Sequence, residues 1–220
     1  MLPGIKNLYI AGAGGFGREV VGLAQAIKSL TNAQWEIRGF LDDTDCPLKD
    51  KACDYTVTGT IKDYSPAPGD AVAVAIGDPH ARADVVNLLQ GRRAVFAALV
   101  HPWAGLGQHC SIGEGSIIQG GFAMTANVSL GAFSVMLACL VGHDVTIGDF
   151  TTVSSHCNIS GKVEVGRRVF MGGNVAVAPG LSIGDDAYLC MGSIILKNVP
   201  SGARMLGNPA REIGSASAVI

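Results

Sequence analysis

An aliphatic side chain returns at every sixth position through the second half of this sequence, and few folds can accommodate that period. The column reads Leu106, Ile112, Ile118, Met124 and Leu130, then resumes after one shortened step at Val141, Ile147, Val153, Ile159, Val165, Met171, Val177, Ile183, Leu189 and Ile195. The position after the column residue is glycine at 107, 113, 131, 142, 148, 166, 172 and 184. Helices repeat every 3.6 residues and strands every two, so a helix cannot keep a six-residue column on one face. A hexapeptide repeat instead predicts a triangular parallel β-helix, in which each hexad makes one short strand and one corner and three hexads, about 18 residues, close a coil. Small residues then ease the tight corners. The expected hand is left, an accepted exception to right-handed crossovers. The span from Leu106 to Pro200 supplies about five such coils. Cys139 and Cys157 fall one coil apart, which reads as packing. Leu130 to Val141 is eleven residues rather than twelve, so one corner is shortened just before His143. Past Ile195, the Pro and Gly residues between Pro200 and Pro209 end the solenoid, and Gly214–Ile220 reads as a flexible tail.

The first hundred residues follow another rule. A short apolar run, Asn7–Ala11, leads directly into Gly12-Ala13-Gly14-Gly15-Phe16-Gly17. From about Arg18 to Leu30, Val20, Val21, Leu23, Ala24 and Ile27 then form one helical face. Strand, Gly-x-Gly-x-x-Gly and helix in this order suit a phosphate, which the free N–H groups and positive end of the helix attract. A second strand, Ile37–Leu41, ends in Asp42-Asp43, where an acidic residue reads either as a ribose contact or as a plain turn acid. A third run, Ala71–Ile76, closes in Gly77-Asp78. Arg82 opens another helix to about Gln90, and Val95–Val100 forms a last strand before His101-Pro102. This is one mononucleotide-binding half where a dinucleotide needs two. It suits one nucleotide and argues against NAD, although a cap that binds nothing has the same pattern. The expected architecture is therefore α/β + β. A Rossmann-like half domain spans 1–100, a left-handed parallel β-helix of hexapeptide repeats spans 101–213, and a tail spans 214–220.

Composition removes several functional classes. Only 15% of residues are charged against 48% hydrophobic, which argues against disorder, and a net charge of −2 offers nucleic acid or an anionic membrane no electrostatic attraction. No apolar stretch reaches the roughly 18 residues of a membrane span, and Met1-Leu2-Pro3-Gly4 has no signal-like character. Six cysteines without a C-x-x-C pair read as reduced thiols of a cytoplasmic protein. A metal site is not expected: His143 and His156 are thirteen apart, out of register with the coil, and no clean third ligand appears.

The solenoid requires neither residue of His143-Asp144, so that pair is the candidate for chemistry. A His with an ordinary pKa of about 6.5 can accept a proton at neutral pH. An adjacent carboxylate can fix its tautomer and favour the imidazolium that forms. His109 and His156, on corners or flanks of other coils, read as structural.

Taken together, these motifs resemble the bacterial nucleotide-sugar acetyltransferases of the left-handed β-helix superfamily. Within it they are similar to the PglD/NeuD-like sugar acetyltransferases, including perosamine and bacillosamine-pathway N-acetyltransferases of glycan biosynthesis. The resemblance rests on Gly12–Gly17, Phe40–Asp43, Ala75–Asp78, His101-Pro102, Gly142–Asp144 and Met205–Arg211. It implies an acyltransferase moving acetyl from acetyl-CoA, its co-substrate, to the amine of a nucleotide-linked amino sugar of the 4-amino-4,6-dideoxy type. A sugar O-acetyltransferase of the sialic-acid or polysaccharide type is the alternative. It further implies that Gly14, Gly15 and Phe16 face the diphosphate and that Asp42, Asp43, Gly77, Asp78 and Arg82 surround base and ribose. His143 becomes the catalytic base and Asp144 its helper, where the family often has Glu. On the acetyl-CoA side stand Gly161, as an N–H donor to the acetyl carbonyl, then Gly173 and Ala178 along the pantetheine. Thr152 takes a position where some members carry a His near the thioester. Homotrimers are the family's rule.

Overall fold

The computed structural model describes residues 4–215. The chain divides after Pro102 into two compact units, and residues 216–220 of the expected tail lie outside the described residues.

In the first unit, strands β1 (Asn7–Ala11), β2 (Glu36–Leu41), β3 (Val57–Gly59) and β4 (Asp70–Val74) form a parallel sheet in the order β3-β2-β1-β4. β1 lies at its centre because Leu8, Ile10 and Ala11 can be buried completely. Helix α1 (Gly15–Thr31) buries Val20, Val21, Leu23, Ala24 and Ile27, the face read from its period, and stops where Asn32 turns left-handed at φ 52°. Helix α2 (Pro79–Gly91) starts three residues before Arg82, because the Asp78 side chain accepts the Ala81 N–H at 2.8 Å as an N-cap and Pro79 occupies the first turn. The expected strand over Val95–Val100 is reduced to a bridge between Phe96 and Val72 and a two-residue strand at Leu99–Val100. β3 is an addition that the apolar pattern did not announce, since Val57 and Thr58 are exposed and the strand exists through its pairing with β2.

The second unit is a parallel β-helix with three walls of two-residue strands. The first wall stacks residues 105–106, 123–124, 140–141, 158–159, 176–177 and 194–195. The second stacks 111–112, 129–130, 146–147, 164–165 and 182–183, and the third 117–118, 135–136, 152–153, 170–171 and 188–189. Column residues from Ile118 onward point inward and are buried; the first two, Leu106 and Ile112, lie in the first coil and are not. Met136 fills the column step left open between Leu130 and Val141, so the missing residue belongs to the corner after Met136, on the edge between third and first walls.

A second inward column lies two residues before the first. On the first wall it holds Phe122, Cys139, Cys157 and Val175, so the two cysteines do stack, and burial pushes both thiols up. On the third wall it holds Ser116, Ser134, Thr151, Val169 and Ala187. These buried hydroxyls are satisfied by corner carbonyls: Ser134 Oγ donates to Gly131 O at 3.1 Å and Thr151 Oγ1 to Gly166 O at 2.9 Å.

Glycines directly after the column do not have left-handed backbones; they are small because the next coil lies against them. A Cβ on Gly142 would stand 2.6 Å from Gly161 N, and one on Gly113 would overlap the backbone of Ala132. The left-handed residue comes two positions later, at 109, 115, 121, 127, 133, 144, 150, 156, 162, 168, 174, 180, 186 and 192. It is often Asn, Asp or His, types that tolerate this region, yet Phe133, Phe150 and Arg168 occupy it too. The shortened corner after Met136 has none. At the far end, Ala203–Gly207 and Ala210–Ser215 form an antiparallel hairpin that extends the third wall through Tyr188 and Leu189. The second of these strands runs to Ser215, so Gly214 and Ser215, expected in a flexible tail, are strand residues.

Candidate functional site

The Gly-x-Gly-x-x-Gly segment divides its glycines by purpose. Gly12 has φ +102°, and a Cβ there would stand 2.8 Å from Ala75 O; a Cβ on Gly17 would overlap Gly12 O. Those two close the turn between β1 and α1. Gly14 and Gly15 are exposed, with nothing within 4 Å of a Cβ on Gly14. Gly14 is also the N-cap of α1, with no side-chain cap and no acidic residue in the first turn. The helix therefore presents its first N–H groups, including those of Gly15 and Phe16, and its positive end outward, which suits a phosphate. Arg18, one residue past the motif, reaches Gly15 with its guanidinium and adds positive charge there. It was not read as a site residue, although a cation directly after a glycine-rich loop is the signal for one.

Asp42 and Arg82, both expected beside base and ribose, brace the backbone of this unit. Asp42 Oδ2 accepts the Ala13 N–H at 2.6 Å, and Oδ1 accepts the amide and hydroxyl of Thr44 at 2.8 and 2.5 Å. Partial burial would raise this carboxyl, but the Thr44 and Ala13 hydrogen bonds outweigh it and hold it below its ordinary value. Asp42 thus staples the glycine loop to the end of β2. Arg82 is only 1% exposed and donates to the carbonyls of Ile76 and Gly77. Burial pushes its guanidinium down to about 9, with Asp78 opposing, and it remains charged at neutral pH. It shapes the β4–α2 loop from inside. Asp43 is exposed and accepts from Lys62 N at 3.1 Å; Gly77 leaves open space and Asp78 is exposed at the helix cap.

In the β-helix, His143 and Asp144 occupy the corner between the first and second walls. Neighbouring residues on a strand point to opposite faces. The left-handed turn at Asp144, φ 57°, folds its side chain back, so His143 Nδ1 meets Asp144 Oδ2 at 2.8 Å. Asp144 Oδ1 accepts Asn127 Nδ2 at 3.1 Å from the preceding coil. The bonds from His143 and then Asn127, with the charge of Lys162 one coil on, hold the Asp144 carboxyl below its ordinary value. The backbone is fixed on both sides: Asp144 N donates to Ala126 O at 2.9 Å and Lys162 N to His143 O at 2.8 Å.

Gly161 lies one coil after His143, and a Cβ on it would stand 2.6 Å from His143 Nε2. The imidazole therefore rests on the glycine, and among the described residues the Gly161 N–H has no acceptor. Ala178 lies on the same edge. Gly173 is on the adjoining edge, between the third and first walls, and Thr152 is buried on the third wall at 3% exposure. The fold thus brings His143, Asp144, Gly161 and Ala178 together, with Asn127 and Lys162 as additions, and sets Gly173 and Thr152 apart. His109 and His156 are exposed left-handed corner residues.

Comparison with known proteins places this geometry in a family. The PglD N-terminal domain family matches residues 7–89. GDP-perosamine N-acetyltransferase of Escherichia coli O157:H7 is 30% identical over 217 residues, covering 94% of this chain and 96% of that protein. Among solved structures, WeeI from Acinetobacter baumannii AYE has a TM-score of 0.83 at 28% identity, covering 94% of this chain and 100% of that one. The acetyltransferase domain of PglB from Neisseria gonorrhoeae FA1090, in complex with acetyl coenzyme A, has a TM-score of 0.77 at 26% identity, covering 96% and 100%. With a glycine-rich α/β unit, a hexapeptide β-helix and relatives that match through both, the chain belongs to the PglD/NeuD-like sugar acetyltransferases.

Proposed function

We propose that this chain moves the acetyl group of acetyl-CoA to the amine of a nucleotide-linked 4-amino-4,6-dideoxy sugar, with His143 as general base. The observation that carries this is the orientation of His143. Asp144 engages Nδ1 at 2.8 Å, which leaves Nε2 as the proton acceptor directly above Gly161. Nε2 takes the proton of the attacking amine as its nitrogen bonds to the thioester carbonyl carbon. The oxyanion is received by the free Gly161 N–H, a contribution whose removal elsewhere costs about 10²–10³-fold. Collapse breaks the C–S bond, and the proton passes from His143 to the leaving thiolate.

In this reading the nucleotide occupies the first unit. The amides of Gly14, Gly15 and Phe16 meet the diphosphate with Arg18 beside them, and Asp43, Gly77 and Asp78 stand around base and ribose. Acetyl-CoA runs along the β-helix past Gly161 and Ala178, with Gly173 on the adjoining edge. The similarity to GDP-perosamine N-acetyltransferase makes GDP-linked amino sugars the first acceptors to test. The working assembly is a cytoplasmic homotrimer.

Acetyl-CoA consumption, followed across GDP-, UDP- and dTDP-linked 4-amino-4,6-dideoxy sugars and their 4-hydroxy counterparts, tests the reading. Turnover only with hydroxyl acceptors would replace it with O-acetylation. His143→Ala should lower kcat by about 10²–10⁴-fold and leave nucleotide binding intact; an unimpaired variant would remove His143 as the base.

A further inference from the structure

A solvent-exposed His–Asp pair holds its geometry poorly, because water competes for both partners and exposed ion pairs contribute little. The side chains of His143 and Asp144 are 59% and 45% exposed, yet the proposed chemistry needs a single tautomer and a fixed Nε2 direction. Something beyond the pair has to hold the carboxylate.

The corner register shows what does. Asn127, Asp144 and Lys162 occupy the same left-handed position in three successive coils, with φ of 54°, 57° and 61°. Their side chains therefore leave the edge in the same direction, separated by the strand spacing of about 4.8 Å. That places Asn127 Nδ2 3.1 Å from Asp144 Oδ1, the oxygen that His143 does not use. The Asn127 backbone is tied independently, its N–H donating to Gln108 O at 3.0 Å. A carboxylate gripped at one oxygen by the preceding coil has one oxygen left to offer, and that oxygen faces Nδ1.

We infer that Asn127 is a positioning residue for the acetyl transfer: its amide fixes the Asp144 carboxylate so that His143 carries its proton on Nδ1 and presents the Nε2 lone pair. The inference rests on the reading of His143 as the base. The groups that face Asp144 are His143 on its own coil, Asn127 before it and Lys162 after it; Lys162 adds charge without hydrogen-bonding the carboxylate.

Two substitutions keep the left-handed backbone and so separate positioning from folding. Asn127→Gly removes the amide and suits φ 54° at no steric cost. Asn127→Asp is nearly isosteric but replaces the donor with a second acceptor against Oδ1. Asn127→Gly should lower kcat about 5- to 10-fold, the size of one lost ordinary hydrogen bond, with KM for acetyl-CoA and the melting temperature unchanged. Asn127→Asp should bring a second negative charge to the imidazolium and move the acid limb of the kcat/KM profile upward by about one pH unit. Nitrogen-15 NMR of His143 reads the tautomer without turnover: the native protein should show Nδ1–H, and Asn127→Gly a mixture of both forms. Native kcat, acid limb and nitrogen shifts in both variants would overturn the role of Asn127. If His143→Ala is inactive in that case, the base assignment stands alone; if His143→Ala is active, the functional reading itself fails.

Discussion

The two units hold their working groups in opposite ways. In the first, loops are braced by individual side chains: Asp42 ties down Ala13, 29 residues away, and buried Arg82 holds the nearby carbonyls of Ile76 and Gly77. In the β-helix the His143 corner is clamped by repeating backbone bonds, Gly142 N to Ile159 O, Asp144 N to Ala126 O and Lys162 N to His143 O. The first design is open to damage by deleting one side chain. The second resists deletion, because neighbouring coils supply the backbone, and is vulnerable instead to added volume where coils touch.

That contrast can be broken by substitution. Arg82→Ala should have the largest effect, because it removes a buried guanidinium that donates to the carbonyls of Ile76 and Gly77. We expect the first unit to lose about 3 kcal/mol, seen as an earlier denaturation step for that unit while the β-helix transition stays in place. A shift of both transitions together would show that the units do not respond separately. Gly161→Ala probes the other design. Its Cβ would stand 2.6 Å from His143 Nε2, so the ring must move, and displacements of this size cost about 10²-fold in rate. Kinetics should show that loss in kcat with circular dichroism unchanged; full activity would mean that the imidazole does not rest on Gly161 during turnover.

Smaller effects sharpen the comparison. Asp42→Asn should weaken nucleotide binding and cost about 1–2 kcal/mol by loosening the Ala13 turn. Because the folded carboxyl lies below its ordinary value, the Asp42 contribution is complete above the ordinary carboxylate pKa of about 3.9 and is lost as the pH falls through the folded value. Acid titration of the first unit should therefore be shallower in Asp42→Asn than in the native chain. Ser134→Ala removes one inward hydroxyl from the stacked column and should cost only about 1 kcal/mol in urea melts, because Val169 and Ala187 already occupy equivalent sites without one. A loss several times larger would mean that hydroxyl-to-carbonyl bonds, rather than backbone stacking, hold the coils.

Much of the β-helix was legible because its pattern is local and repeated. Each column residue is read against the one six positions before it, and the inward stack follows. The His143–Asp144 contact was legible for the same reason, as adjacent residues need only one left-handed turn to meet. In the first unit the central strands and the buried face of α1 could be read from apolar runs and helical period. β3 could not, since Val57–Gly59 is half polar and owes its strand state to β2. The staple from Asp42 to Ala13 could not be read either, because its partner lies 29 residues away, on the far side of α1 and β2 in the chain.

The sequence by itself determined the six-residue period, the glycine-rich turn before α1 and the placing of a His–Asp pair where the repeat needs neither. Each is a property of residues close together in the chain, set by sterics and side-chain periodicity. Tertiary structure alone decided that Asn127 meets the free oxygen of Asp144, that Gly161 forms the floor beneath His143, that Asp42 and Arg82 turn to their own backbone and that Thr152 is buried. Those outcomes depend on register between coils and on burial, and the choice among partners is made by packing.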